Sequence, residues 1–270
     1  MLDILFYPLL AVSRIGLWAL AVTIFAILLG AKEFAYRLGR RTADHHEPTD
    51  TMRSAVGFIT GGMLGLFAFL MGISFSLSSA RYDQRRESVL NEANAIGTAW
   101  LRAGMVGGQE GADIQRILRD YTSVRIEFVQ AAADPAREQQ IIGQTNTMQT
   151  EIWTLAVQVA QRAPTPVSTI FMTSLNDMFD LATTARRNFN RGVPTYVLRL
   201  VFIVAMLSVG AMGYQFGINR NRQPIVSALL LITWTLTIVL VLDIDAPRAG
   251  SVRVDPSPLI WTLESWGPAK

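Results

Sequence analysis

The sequence predicts an all-α integral membrane protein with four transmembrane helices and a helical extramembrane domain between the second and third spans. Three observations predict it. Four long stretches carry no charge. Only 17% of the residues are charged, against about 25% in an ordinary soluble chain. Residues 81–193 repeat their apolar positions at helical spacing, with no strand alternation.

A spanning helix needs about 20 apolar residues. Ile15–Ala31 lies uncharged between Arg14 and Lys32, behind the apolar stretch Ile4–Val12, and places the first span at about 9–31. Ser54–Ala80, between Arg53 and Arg81, gives the second at about 54–80. Leu200–Ile218, extended by Tyr196–Leu198, gives the third at about 195–218, and Gln223–Leu242 gives the fourth at about 223–243. Pro194 and Pro224 stand at the starts of the last two, where a missing N–H costs nothing. The chain thus divides into a membrane region 1–80, an extramembrane domain 81–193, a second membrane region 194–243 and a tail 244–270. It opens Met-Leu-Asp, and Lys32, Arg37, Arg40 and Arg41 follow the first apolar run. That order reads as an uncleaved span rather than a signal peptide.

Half of the residues are hydrophobic and the mean hydropathy is +0.30. The net charge of +3 suits a protein beside anionic lipid. Its basic residues cluster at the ends of apolar runs rather than on a soluble face, which argues against nucleic acid as a partner. With no cysteine, disulfides, thiolate catalysis and Cys-based metal sites are excluded. His45 and His46 are adjacent, so on a helix they face different ways, and no metal site is expected there. No GxSxG, Walker loop or HExxH is present. No catalytic residue and no cofactor is therefore expected.

Two short loops are basic: Lys32, Arg37, Arg40, Arg41 and Arg53 in one, Arg220 and Arg222 in the other. The positive-inside rule puts both in the cytoplasm of a plasma (inner) membrane protein, and the central region outside. Arg81, Arg85, Arg86, Arg186, Arg187 and Arg191 flank that central region near the membrane, but long loops obey the rule poorly.

Within the central region, Val89, Ala93, Ile96 and Trp100 continue the period of the second span, so that helix projects beyond the bilayer. Gly104, Gly107, Gly108 and Gly111 are expected to end it. Ile114, Leu118, Tyr121, Arg125 and Phe128 mark the next helix, up to Asp134-Pro135. Ile141, Thr145, Met148, Ile152, Leu155 and Val159 step in a heptad-like seam, either bundle core or oligomer contact. Thr165-Pro166 has the form of an N-cap with proline at the first helical position. Trp261 and Trp266 in the tail suit a membrane interface.

Four groups of residues are candidates for function. Gly57, Gly61, Gly65, Ala68 and Gly72 share one face of the second span. Such faces let helix backbones approach closely, within a subunit or between subunits. Ser74, Ser76, Ser78 and Ser79 follow; serine hydroxyls in a membrane either bond back to the i−4 carbonyl or line a hydrated passage. Arg81, Asp83, Arg85 and Glu87 at the membrane exit are an interfacial anchor or a charge collar at a pore mouth. Asp243 and Asp245 end the fourth span, where the helix dipole opposes them. Either Arg248 or Arg253 folds back to pair with them, or they hold a cation.

These motifs carry a resemblance. Gly72-Ile-Ser-Phe-Ser76, Arg81-Tyr-Asp83 with Glu87, the run Asn91–Trp100 and the closing Leu242–Gly250 with Arg253 resemble the bestrophin-like family of bacterial four-span membrane proteins. A more distant similarity to the bestrophins, which are pentameric anion channels, rests on Leu70–Glu87. It implies a ring of second spans around a pore, with Gly65, Phe69 and Ile73 in a hydrophobic neck and Ser76 beyond it. It also implies a cytoplasmic central region, against the loop charges. The sequence lacks the paired tryptophans after Arg81 and an acidic calcium cluster in the tail beyond Asp243 and Asp245. The expectation is a homo-oligomeric ion channel, with membrane lipid, further copies of itself and inorganic ions as partners. The alternative is a non-conducting scaffold or sensor whose helical domain binds a partner.

Overall fold

In the computed structural model, residues 16–131, 134–248 and 250–267 are described, and among them there is no strand. The helices are α1 (Leu17–His45), α2 (Asp50–Val106), α3 (Gly108–Gln130), α4 (Pro135–Arg162), α5 (Pro166–Phe189), α6 (Thr195–Ile218), α7 (Pro224–Asp245) and α8 (Ser257–Ser265). The chain divides into two compact units. One is the chain up to Ala80 together with Gly192–Ser251; the other is Arg81–Arg191 with the residues from Val252 onward.

The first unit holds four helices long and apolar enough to cross a membrane: α1, the first part of α2, α6 and α7. At about 1.5 Å per residue, the 24 residues of α6 reach about 36 Å and the 22 of α7 about 33 Å. Both exceed the roughly 30 Å hydrocarbon thickness. The expected start of the first span, residues 9–15, lies outside the described residues. At its other end α1 runs on past Ala31 to His45.

That extension exists because α1 and α6 pack backbone to backbone. A methyl group added at Gly213 would overlap the Lys32 carbonyl oxygen, one at Gly217 the Tyr36 carbonyl, and one at Gly39 the Tyr214 carbonyl. Only glycine permits this approach. Arg220 then donates to the Ala43 carbonyl (3.1 Å) and Arg222 to the Glu33 carboxylate (3.1 Å), with the Arg222 guanidinium 4.8 Å from the Tyr36 ring. The two arginines of the α6–α7 loop thus tie that loop to the far part of α1. The core of this unit is apolar, with Leu28, Ala205, Val209 and Leu231 all inaccessible.

The second unit is a bundle whose core runs through Ile96, Ile114, Leu118, Phe128, Ile141, Phe171 and Met178. Its turns follow local chemistry. Asp134 accepts from the Ala136 N–H (3.0 Å) and Pro135 opens α4. Thr165 and Ser168 form a reciprocal capping box ahead of α5, with Pro166 at its first position. In α4, Ile141, Thr145, Ile152 and Val159 are buried within the chain, so most of the heptad-like seam is bundle core.

Helix α2 is 57 residues long and stops at Val106, because Gly107 and Gly108 take φ of 68° and 70°. Gly104 and Gly111 do not end it. Gly104 stays within α2, and Gly111 lies in α3, where its missing side chain admits the Ala103 carbonyl oxygen.

The end of the chain also departs from the sequence reading. Within the tail read at 244–270, the described residues 252–267 belong to the bundle unit. Trp266 stacks on Trp100 with centroids 5.0 Å apart and planes 9° from parallel. Arg119 donates to the Gly267 carbonyl (2.7 Å) and the Trp266 carbonyl (3.2 Å). Trp266 is therefore a packing residue of the bundle, while Trp261 stays exposed.

Candidate pore-lining face and its surroundings

Helix α2 is sided. Thr60, Phe67, Met71, Ser74, Ser78, Arg85, Glu92, Ile96 and Ala99 are buried. They recur at steps near 3.5 residues, the period of a helix that keeps one seam against its neighbours. In the membrane unit the seam meets α6 and α7. The Ser208 hydroxyl donates to the Met63 carbonyl (2.9 Å), and the Phe67 and Trp234 rings lie 4.2 Å apart.

On the opposite side, α2 carries the small residues. Gly61, Gly65, Ala68 and Gly72 are exposed. A methyl group built at Gly61, Gly65 or Gly72 would meet nothing within 4 Å. Gly57, at the edge of this face, is near only the Gln215 side-chain amide at 3.2 Å. Phe69 is 64% exposed and Ile73 41%. The small-residue face thus makes no close contact among the described residues.

The serines divide between the two sides. Ser74 is buried and donates back to the Leu70 carbonyl (2.8 Å), while the buried Ser78 hydroxyl has no partner among the described residues. Ser76 is exposed beside Ile73 on the open side.

In the bundle unit, α2 exposes Asp83 and Glu87, and Arg81 is half-buried. Arg85 corrects the expected collar of four. It falls on the buried seam, is inaccessible, and donates to the Asn188 carbonyl (3.3 Å) and the Arg191 carbonyl (2.9 Å). Those carbonyls lie at and just past the end of α5, where a helix leaves acceptors unpaired and its dipole favours a cation.

Asp243 and Asp245 are held by the chain itself. Asp243 accepts from the Ser251 N–H (2.6 Å) and hydroxyl (2.5 Å), and Gly250 packs on its carboxylate too closely for any side chain. Asp245 accepts from the Val193 N–H at 2.8 Å. Arg248 is half-buried and Arg253 exposed. Among the described residues, no group of three or more His, Cys, Asp or Glu side chains converges as a metal site would need.

Two features do not stand out from the apolar pattern. One is the packed trio Gly39, Gly213 and Gly217; its signal, Gly213-x-x-x-Gly217, lies in the third span. The other is a buried ion pair in the bundle. Glu92 and Arg125, 0% and 2% exposed, form a two-point pair that includes an Arg125 Nη2–Glu92 Oε2 bond of 3.1 Å. The Phe128 ring lies 4.3 Å from the guanidinium. Burial opposes the charge on Arg125, but the Glu92 carboxylate outweighs it and raises the pKa above its usual value. Beside the pair, burial and then the same carboxylate push the Tyr121 phenol up, while its oxygen accepts from Gln149 (3.1 Å). Arg125 sits among buried residues of the α3 period, which is its sequence signal.

A four-span membrane unit, a helical bundle and one helix shared between them define a class of helical membrane protein. The sequence matches the model of the Bestrophin-like domain over residues 22–259, and the chain belongs to the Bestrophin-like family. The fold is similar to that of a bacterial bestrophin homologue from Klebsiella pneumoniae, with TM-score 0.64 and 12% identity over 90% of this chain and 94% of that one. A single-substitution variant of the Klebsiella pneumoniae homologue gives 0.64 at 14% identity, covering 91% and 96%. A crystal structure described as a membrane protein gives 0.65 at 13%, covering 90% and 96%. No curated protein matches the sequence.

Proposed function

We propose that this chain assembles with further copies of itself into an ion channel of the plasma (inner) membrane, with α2 facing a central pore. The observation that carries the reading is the open side of α2: a glycine-rich stripe along Gly61, Gly65 and Gly72 that none of the described residues covers. Lipid alone does not call for glycine on a helix surface, whereas close helix approach does.

In this reading Gly65, Phe69 and Ile73 form an apolar neck that conducts or blocks by wetting, and Ser76 offers the first hydroxyl beyond it. Asp83 and Glu87, exposed where α2 continues into the bundle unit, follow Phe69 and Ile73 by 14 residues each and so share their side of α2, while Arg81 is half-buried; in this reading the pore favours cations. Gly57 and Ala68 flank the stripe and set how closely neighbouring copies approach. Likeness to the bestrophins makes five copies the number to test. Asp243, Asp245, Arg248 and Arg253 brace the chain rather than bind an ion.

Orientation has two arguments that oppose each other. The short-loop arginines put those loops in the cytoplasm, while resemblance to the bestrophins puts the bundle there. We adopt the charge count. Single cysteines placed at Asn221 and Gln144 of this cysteine-free chain decide it, by labelling with an impermeant maleimide in intact cells.

The test of the channel is electrical recording of purified protein in a planar bilayer with asymmetric salt. Phe69→Ala and Ile73→Ala are expected to raise unit conductance, and Asp83→Asn to move the reversal potential away from the cation value. Currents unaltered by the Phe69 and Ile73 variants would remove those residues from the pore. A silent protein that is monomeric in mild detergent would support the scaffold alternative.

A further inference from the structure

The membrane unit contains a cavity of about 210 Å³, bounded by all four spans. Leu20 of α1, Met71 of α2, Phe202 of α6 and Val241 of α7 form its walls. Its few polar members are Ser74, Thr195 and Asp245. Ser74 already spends its proton on the Leu70 carbonyl, and Asp245 already takes the Val193 N–H. Thr195 and Asp245 stand where α6 begins and α7 ends, so the rest of the wall, away from that end, offers a guest almost no hydrogen bonding.

A water in a protein needs about two to four polar partners, and an apolar cavity of about 150 Å³ stays dry and takes up benzene. An apolar space left empty forfeits dispersion contacts on every wall. The fitting guest is a hydrocarbon segment, and the medium around a spanning helix supplies one in excess. The depth also fits. Thr195 and Asp245, at the start of α6 and the end of α7, lie at one end of the spans. Trp18 and Tyr196, 84% and 72% exposed, stand in the first turns of α1 and α6, and such aromatics settle at headgroup level.

We propose that this cavity binds one acyl chain of a membrane phospholipid, with the headgroup held at the level of Thr195 and Asp245. The site is independent of conduction. It lies on the buried sides of the four spans, away from the exposed glycine stripe of α2.

The test is photolabelling of the full-length protein in nanodiscs of phosphatidylethanolamine and phosphatidylglycerol, with a diazirine in the acyl tail, followed by peptide mapping. Labels on outward residues such as Leu207 and Leu236, both 56% exposed, report ordinary surrounding lipid and serve as the folding control. The expected result is additional label on Met71 and Phe202, only 5% and 6% exposed. Val241→Phe, which fills the cavity, should abolish the interior label and keep the outward one. Val241→Ala, which enlarges it, should keep both. Wild-type protein labelled only on outward residues overturns the proposal, and so does interior label that persists undiminished in Val241→Phe.

Discussion

The two sides of α2 are built from different residues and do different work. On one side Phe67, Met71, Arg85, Glu92 and Ile96 disappear into the protein. On the other, Gly61, Gly65, Phe69, Gly72 and Ser76 remain exposed. The glycines make the contrast sharpest. Gly39, Gly213 and Gly217 sit against carbonyl oxygens of a neighbouring helix, while Gly61, Gly65 and Gly72 face open space. The same small-xxx-small spacing thus serves the fold in one place and is left uncovered by the described residues in the other. A glycine stripe that none of the described residues covers is the feature that the proposed assembly of copies would explain.

The largest expected effect lies on the buried side. Glu92→Gln leaves the Arg125 guanidinium enclosed with no carboxylate opposite it. Breaking a buried pair from one end costs about 3–5 kcal/mol. Denaturant unfolding of the detergent-solubilised protein should show a loss of that order. Replacing both partners, as Glu92→Gln with Arg125→Met, should recover part of it, because no uncompensated charge remains. An unfolding midpoint unchanged in Glu92→Gln would mean that the pair is not a structural element of the bundle.

The glycines give the next effect and test the comparison directly. Alanine is preferred over glycine inside a helix by about 1 kcal/mol, and this gain applies to both sets. At Gly213 it is opposed by overlap with the Lys32 backbone, which cannot swing aside as a side-chain tip can; overpacking of this kind costs about 1–3 kcal/mol. Gly213→Ala should therefore destabilise the monomer. Gly65→Ala should leave it unchanged or slightly more stable, while shifting the distribution of oligomers in light scattering or altering the current. If Gly65→Ala destabilised the monomer as much as Gly213→Ala, the two sets would not differ and the argument from the open stripe would fail.

Much of the architecture was legible because it follows from local rules. Charge-free runs of membrane length, a proline at the start of α7, the Thr165-Pro166 cap and the glycine pair that stops α2 each act within a few residues. The sidedness of α2 was harder to read. Its membrane part is apolar all round, so lipid-facing and protein-facing positions look alike, and only small residues break the uniformity. Arg85 shows the same limit. Its place in a charged run suggests solvent, and what buries it is a set of carbonyls about a hundred residues later in the chain. The ending of the chain was misread for a related reason: Trp266 has the composition of an interfacial anchor, and its stacking on Trp100 is a long-range pairing that no spacing reveals. Asp243 and Asp245 have their partners close in sequence or at the mouth of α6, yet a backbone N–H acceptor role leaves no mark on residue type.

The smallest effect expected belongs to exposed charges, and its sign can be worked out. A hydrogen bond from Arg162, helped by a backbone N–H, holds the Glu110 carboxyl below its usual pKa. The Ser257 hydroxyl, with its N–H, does the same for Asp255 at the start of α8. A carboxyl whose pKa is lower in the folded state stabilises the fold above its unfolded value, about 4 for these groups. That contribution is lost as the pH falls through the folded value. Asp255 is exposed and Glu110 half-buried at the surface, so screening keeps the contribution small. Thermal unfolding from neutral pH downward should thus be flat until the carboxylate range and decline below it. Glu110→Gln with Asp255→Asn should lower the midpoint slightly at neutral pH and flatten the acid decline, while the deficit of Glu92→Gln should persist at neutral pH, where these contacts are intact. A double variant whose acid decline matched that of the wild type would assign the decline to other carboxylates.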